Sequence, residues 1–145
     1  MADERETFTN KRMTISAAAS AANVNVETVR FYERKGLISQ PPRHSSGGAR
    51  HYPEETIQRL RFIKQAQEVG FSLSEIAELL ELRTDRRAQC NDVRERTLAK
   101  IETIDEKILR LKSMRSVLST VAETCPRKGA AAQNCTILQA FGRDY

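Results

Sequence analysis

Apolar positions along this chain change their spacing twice, and each change marks a new element. Residues 15–22, ISAAASAA, are small and mostly apolar, with Thr14 placed ahead of them as a helix cap. Asn23-Val24-Asn25 interrupts the run, and helical spacing resumes from Val26 to Lys35 until Gly36 stops it. Two short helices joined by a turn of about three residues have the shape of a helix-turn-helix. The stretch from Gln40 to Tyr52, QPPRHSSGGARHY, holds two prolines and two glycines and excludes a regular helix. Pro53, followed by Glu54 and Glu55, opens a third helix, whose buried stripe is Ile57, Leu60, Ile63 and Val69 and whose stop is Gly70. Ser72 and Glu75 form a capping-box pattern ahead of a fourth helix with Ile76, Leu79, Leu80 and Leu82 apolar.

Beyond a charged connector, Arg83 to Gln89, the pattern narrows. Leu98, Ile101, Ile104, Ile108, Leu111, Leu118 and Val121 form a thin apolar stripe among charges, with neither Gly nor Pro before Pro126. Ile101, Ile104, Ile108 and Leu111 keep the 3-4-3 spacing of a coiled-coil seam, on a helix of about 35 residues. So narrow a stripe needs a partner. The simplest is a second copy of the chain, and the alternative is the chain's own N-terminal half. The fold class is mainly α.

Composition agrees with a helical, partly elongated protein. Of 145 residues, 30% are charged and 39% hydrophobic; only 6% are aromatic, which is thin for one large core. The net charge of +5 is concentrated: between Lys11 and Lys64 ten Lys and Arg face four acids. Positive charge gathered on a helix-turn-helix and on the acid-free loop behind it is what phosphate neutralisation requires. A Gly-bearing loop with Arg43 and Arg50 can lie along a nucleic-acid backbone as a wing. Tyr32 and Tyr52 add hydroxyls that can reach phosphates, or are half-buried core aromatics. The opening residues MADERETFTNKRM lack an apolar targeting segment, and no apolar run approaches the roughly 20 residues of a membrane span. A cytoplasmic protein with no membrane partner is expected, and there cysteines bind metal or do redox chemistry more often than they form disulfides.

At this point the residues carry a resemblance. VNVETVRFYERKGLI (24–38), RHY (50–52) and LRFIKQAQEVGFSLSEIAELLEL (60–82) are similar to the MerR-type regulators, and the likeness runs from residue 14 to about 141. It implies a flexible lead-in (1–13) and a winged helix-turn-helix DNA-binding domain with a second helix pair (14–83). A connector and antiparallel coiled-coil dimerisation helix (84–124) and a metal-binding loop with a short terminal helix (125–145) complete it. The implied partners are double-stranded promoter DNA, a second copy of the chain and RNA polymerase at the promoter. The effector would sit near the coiled-coil ends and distort an over-long promoter spacer. Thr28, Arg30 and Tyr32 match the family's recognition helix, and Arg43, Arg50 and Tyr52 its wing. Two positions depart from the pattern. Asn23 stands where the turn usually has Gly, though Asn tolerates left-handed backbone, and Ala49 stands where the wing usually has an aromatic.

Three cysteines remain: Cys90, Cys125 and Cys135. Cys90 and Cys125 are 35 residues apart, so on one straight helix they are separated by roughly 50 Å and cannot share an ion within a chain. In a parallel dimer each would meet only its own copy. In the antiparallel dimer of the resemblance, Cys90 of one chain lies beside Cys125 of the other, and the Pro126–Asn134 loop folds Cys135 back to them. Thiolates favour soft cations. Structural zinc usually takes a fourth ligand, which is lacking, because the only histidines are His44 and His51 in the wing. Copper(I)-sensing relatives have Ser in place of Cys90. Three thiolates fit trigonal Hg(II), and the spacing resembles the mercury-responsive members; Pb(II) and Cd(II) sensors share a similar pattern. The expected function is an Hg(II)-responsive activator of a mercury-resistance operon, with a Pb(II)- or Cd(II)-responsive regulator or a thiol redox sensor as alternatives. A cysteine enzyme would want a histidine or a C-x-x-C beside the thiols, so no catalytic site is expected.

Overall fold

A computed structural model of the chain describes residues 13–142, so the lead-in expected over residues 1–13 lies outside the described residues except for Met13. The chain divides between Ala88 and Gln89 into two compact units.

The first unit is built from four helices. α1 (Ile15–Ala21) is capped by the Thr14 hydroxyl, which accepts from the Ala17 amide. Asn23, at φ 54°, makes the turn, and Asn25 caps α2 (Val26–Arg34) by accepting from the Thr28 amide at 2.7 Å. Pro53 caps α3 (Glu54–Glu68), and the Ser72–Glu75 capping box opens α4 (Leu73–Thr84) with both of its hydrogen bonds formed. Ala18, Ala19, Val29, Leu37, Ile38, Ile57, Leu60, Ile63, Ile76 and Leu80 form one core with Tyr32 and Tyr52.

Val69 is not part of it: the residue is 62% exposed, and Ala66 is the last buried position of α3. A step of three residues falls about 60° short of a full helical turn. A run at 57, 60, 63 and 66 therefore drifts around the helix, and the next step leaves the buried face. The wing, residues 40–52, forms no regular strand. Its only sheet-like pairing among the described residues is an antiparallel bridge between Tyr52 and Met13, with N–H···O distances of 2.7 and 3.2 Å. Met13 thus belongs to the folded unit rather than to the lead-in.

The second unit is one long helix and its return. α5 (Cys90–Glu123) is 34 residues long and starts from a Gln89–Asp92 capping box. Its seam residues lie in the open, from 36% exposure at Ile104 to 63% at Leu111. Arg127 (φ 58°) and Gly129 (φ 98°) take left-handed backbone in the turn that follows. The Pro126–Asn134 segment is not a plain loop as expected, because Ala131–Asn134 closes one helical turn, α6. The short terminal helix expected within 125–145 is α7 (Thr136–Phe141), which packs back against α5. Among the described residues no helix is long and apolar enough to cross a membrane.

Leu60 is completely enclosed, so Leu60→Ala is expected to cost about 3 kcal/mol of stability. Val69→Ala should cost under about 0.5 kcal/mol. Urea denaturation of the two variants measures the difference, and equal costs would contradict the placement of Val69 on the surface.

Candidate nucleic-acid interface and metal-binding thiols

In the first unit, the wing and α2 enclose a cleft of about 520 Å³ that gathers Arg30, Arg43, Arg50 and Tyr52 with Glu33 and Gln40. Four of the six expected DNA-contact residues therefore share one surface, although up to 22 positions separate them in the chain. The physical reason is the bridge between Met13 and Tyr52 together with the internal bonds of the loop. Arg50 donates to the Pro41 carbonyl oxygen at 2.7 Å, which ties the returning arm of the wing to the outgoing one. Arg43 is exposed, and Arg30 lies on the solvent face of α2 with its guanidinium 3.1 Å from Glu27.

Thr28 is half-buried and gives its hydroxyl to Asn25 at 2.8 Å, so in the free chain it reinforces the cap of α2. The two tyrosines do not present free hydroxyls. Tyr32 and Tyr52 are 3% and 1% exposed. Tyr32 donates to the side-chain oxygen of Gln67 on α3, and Tyr52 donates to Glu33 at 2.5 Å. Of the two roles open to them from sequence, both take the core one. A buried hydroxyl keeps its partner because leaving a polar group unpaired there costs more than the bond gains.

Glu33 is the residue that sequence reading passed over. It accepts from Tyr52 at the end of the wing and from Gln40 at its start, at 2.5 and 3.5 Å, so one carboxylate on α2 fixes both roots of the loop. Its signal in the sequence was slight: one of two acids that balance the two arginines of α2. Burial, and then the hydrogen bond and charge of Glu33, push the Tyr52 phenol up to about 12. Burial also raises Tyr32. His44 and His51 stack edge-to-face at 5.6 Å in the wing, and the His51 Nδ1 is buried without a partner.

The three thiols all lie in the second unit. Cys90 is the first residue of α5 and exposed; Cys125 lies two residues beyond its last and is half-buried; Cys135, also half-buried, caps α7. All three are unpaired. Among the described residues, no three His, Cys, Asp or Glu side chains converge within the one chain.

The first unit is by its geometry a winged helix-turn-helix, a DNA-binding module. Family models agree on the family. That of the MerR HTH family regulatory proteins matches residues 13–82, and that of MerR, DNA binding, matches residues 57–121. The chain is 43% identical over 127 residues to the mercuric resistance operon regulatory protein of Bacillus cereus, covering 88% of this chain and 95% of that one. It is 40% identical over 126 residues to the transcriptional regulator CueR of Salmonella typhi, covering 87% and 89%. The structure of PbrR691 from Ralstonia metallidurans in complex with lead(II) superposes with a TM-score of 0.77 at 32% identity, covering 90% of this chain and 99% of that one. The chain belongs to the MerR family of HTH regulatory proteins. It is a transcription regulator and not an enzyme.

The Tyr52–Glu33 bond predicts a pH effect with a definite sign. A phenol whose folded value lies near 12 and whose unfolded value lies near 10 contributes stability that is full below pH 10 and lost as pH rises towards 12. Wild type should thus be more stable than Tyr52→Phe at neutral pH, by about 1–2 kcal/mol, and the gap should close between pH 10 and 12. Urea unfolding across that range reads it; a gap that stays constant would show that burial and the Glu33 bond together do not raise the phenol in the folded chain.

Proposed function

We propose that the chain is a metal-responsive activator that works as an antiparallel homodimer on promoter DNA and answers to Hg(II). Cys90 of one chain and Cys125 and Cys135 of the other would hold the ion. The carrying observation is the length of α5. Cys90 starts a 34-residue helix and Cys125 follows its end, so the two thiols of one chain stand roughly 50 Å apart. An antiparallel partner removes that separation, and the exposed apolar face of α5 gives it a surface to pack on.

The donor set fits a soft cation: three thiols, with neither histidine nor carboxylate completing a cluster among the described residues. Hg(II) would supply bonds to sulfur that join the two chains. The chain's own part is to surrender three thiol protons and to carry the change of geometry along α5. Arg30, Arg43 and Arg50, with Thr28 at the cap of α2, would meet the DNA, while Tyr32 and Tyr52 hold α2 and the wing in place. Binding that twists the promoter into a usable geometry for RNA polymerase completes the reading. The mercuric-resistance relative at 43% identity supports Hg(II), and the lead(II) complex of PbrR691 supports Pb(II) as the second reading.

Mixing two variant chains tests the shared site. Cys90→Ser and Cys125→Ser/Cys135→Ser homodimers should each lose high-affinity Hg(II) binding. Their heterodimer should recover one intact site for each pair of chains, because one chain keeps Cys125 and Cys135 and the other keeps Cys90. A heterodimer as inert as its parents refutes the shared site. The same titration with Pb(II) and Cd(II) ranks the ions, and transcription that is equal with and without metal refutes the activator role.

A further inference from the structure

Besides Arg50 in the wing, two arginines of α3 are committed to backbone carbonyls. Arg59 of α3 donates through Nε to the Leu37 carbonyl oxygen at 2.6 Å. Arg61 donates through Nε and Nη2 to the Ala21 carbonyl oxygen, at 3.0 and 2.9 Å. Both acceptors stand at helix ends: Ala21 is the last residue of α1, and Leu37 lies just past the C-terminus of α2, beyond Gly36 at φ 71°. The Ala21 carbonyl, at the end of α1, lacks an intrahelical partner and carries the negative end of the helix dipole, so a guanidinium is favoured there; the Leu37 carbonyl belongs to the turn that leaves α2.

The placement of the two arginines follows from helix geometry. Successive residues are about 100° apart around the axis, so Arg59 and Arg61 lie on either side of Leu60, which is fully buried. α3 thus drives Leu60 into the core and reaches out on both flanks to the helix-turn-helix. One arm holds the carbonyl before the turn that leads into α2, and the other holds the carbonyl after α2 ends. The Tyr32–Gln67 bond ties α2 itself to α3 between them.

We propose that Arg59 and Arg61 are positioning residues for DNA recognition, straps that fix the tilt of α2 on α3 without touching DNA themselves. The inference rests on the DNA-binding reading of the first unit. Base edges are read only by side chains held in register, whereas phosphates attract any nearby cation. Loosening the straps therefore weakens selected sequences more than random ones. It also leaves the number of neutralised phosphates unchanged. A phosphate-contacting arginine would do the reverse on both counts.

Lysine separates the two roles, because it keeps the charge and loses the planar fork with which Arg61 grips one oxygen. The probes are a duplex enriched by the wild-type chain from a randomised pool and a random-sequence duplex of equal length. Full-length Arg61→Lys should bind the enriched duplex roughly tenfold more weakly, with little change on the random duplex. The slope of log affinity against log salt should match wild type. Arg59→Lys, which gives up one bond at the other flank, should show the same pattern more mildly and serves if Arg61→Lys melts too low to assay. Equal losses on both duplexes, with Arg61→Ala making the salt slope shallower by about 0.9, would identify a phosphate contact and overturn the proposal. An unchanged ratio between the two duplexes for both lysine variants would also overturn it. A wild-type chain that enriches no sequence fails the DNA-binding reading instead.

Discussion

The buried face of α3 is the constraint on which the DNA-reading unit depends. Ile57, Leu60 and Ile63 are wholly enclosed, and the helix-turn-helix and the wing root are mounted on that face. The surrounding polar bonds have direction because the core has none. Apolar burial supplies most of the free energy but fixes no angle, whereas the Arg59, Arg61, Tyr32 and Tyr52 bonds each tie a named atom on one element to a named atom on another. Burial holds the helices together, and the polar ties decide how they lie.

The second unit obeys a different rule. Along α5 the only buried side chain is Lys100, and every seam residue between Ile101 and Leu118 is exposed. A helix of this length gains little from propensity alone, and its stability in water comes mainly from packing an apolar face. The chain thus carries one element that it stabilises by itself and one that it leaves open, and the three thiols all sit in the second. If the thiols sense as proposed, sensing would be coupled to whatever covers the open face of α5.

Much of this was legible in the sequence, and what was legible was local. Thr14 and Ser72 cap the helices that their side chains announce, because a cap is settled within about four residues. Gly36 and Gly70 end helices for an equally short-range reason. The roles of Tyr32 and Tyr52 were not legible, since each hydroxyl is claimed by a residue 35 or 19 positions away. Val69 misled because its apolarity continues a stripe that the helix has already rotated out of contact. The three thiols were easy to find in the sequence, but their placement was not legible, because no local pattern says what a lone cysteine at a helix end will face.

The ion pair of Arg30 with Glu27 has a consequence for how the molecule would search DNA. The two side chains are 54% and 73% exposed, and a pair so open to water is worth roughly 0–1 kcal/mol. A phosphate approaching Arg30 would meet the Glu27 carboxylate within one helical turn, a like charge that repels it. α2 would thus carry its own competitor for any anion that Arg30 met. So weak an internal counter-ion would temper the hold of α2 on any single phosphate without abolishing it.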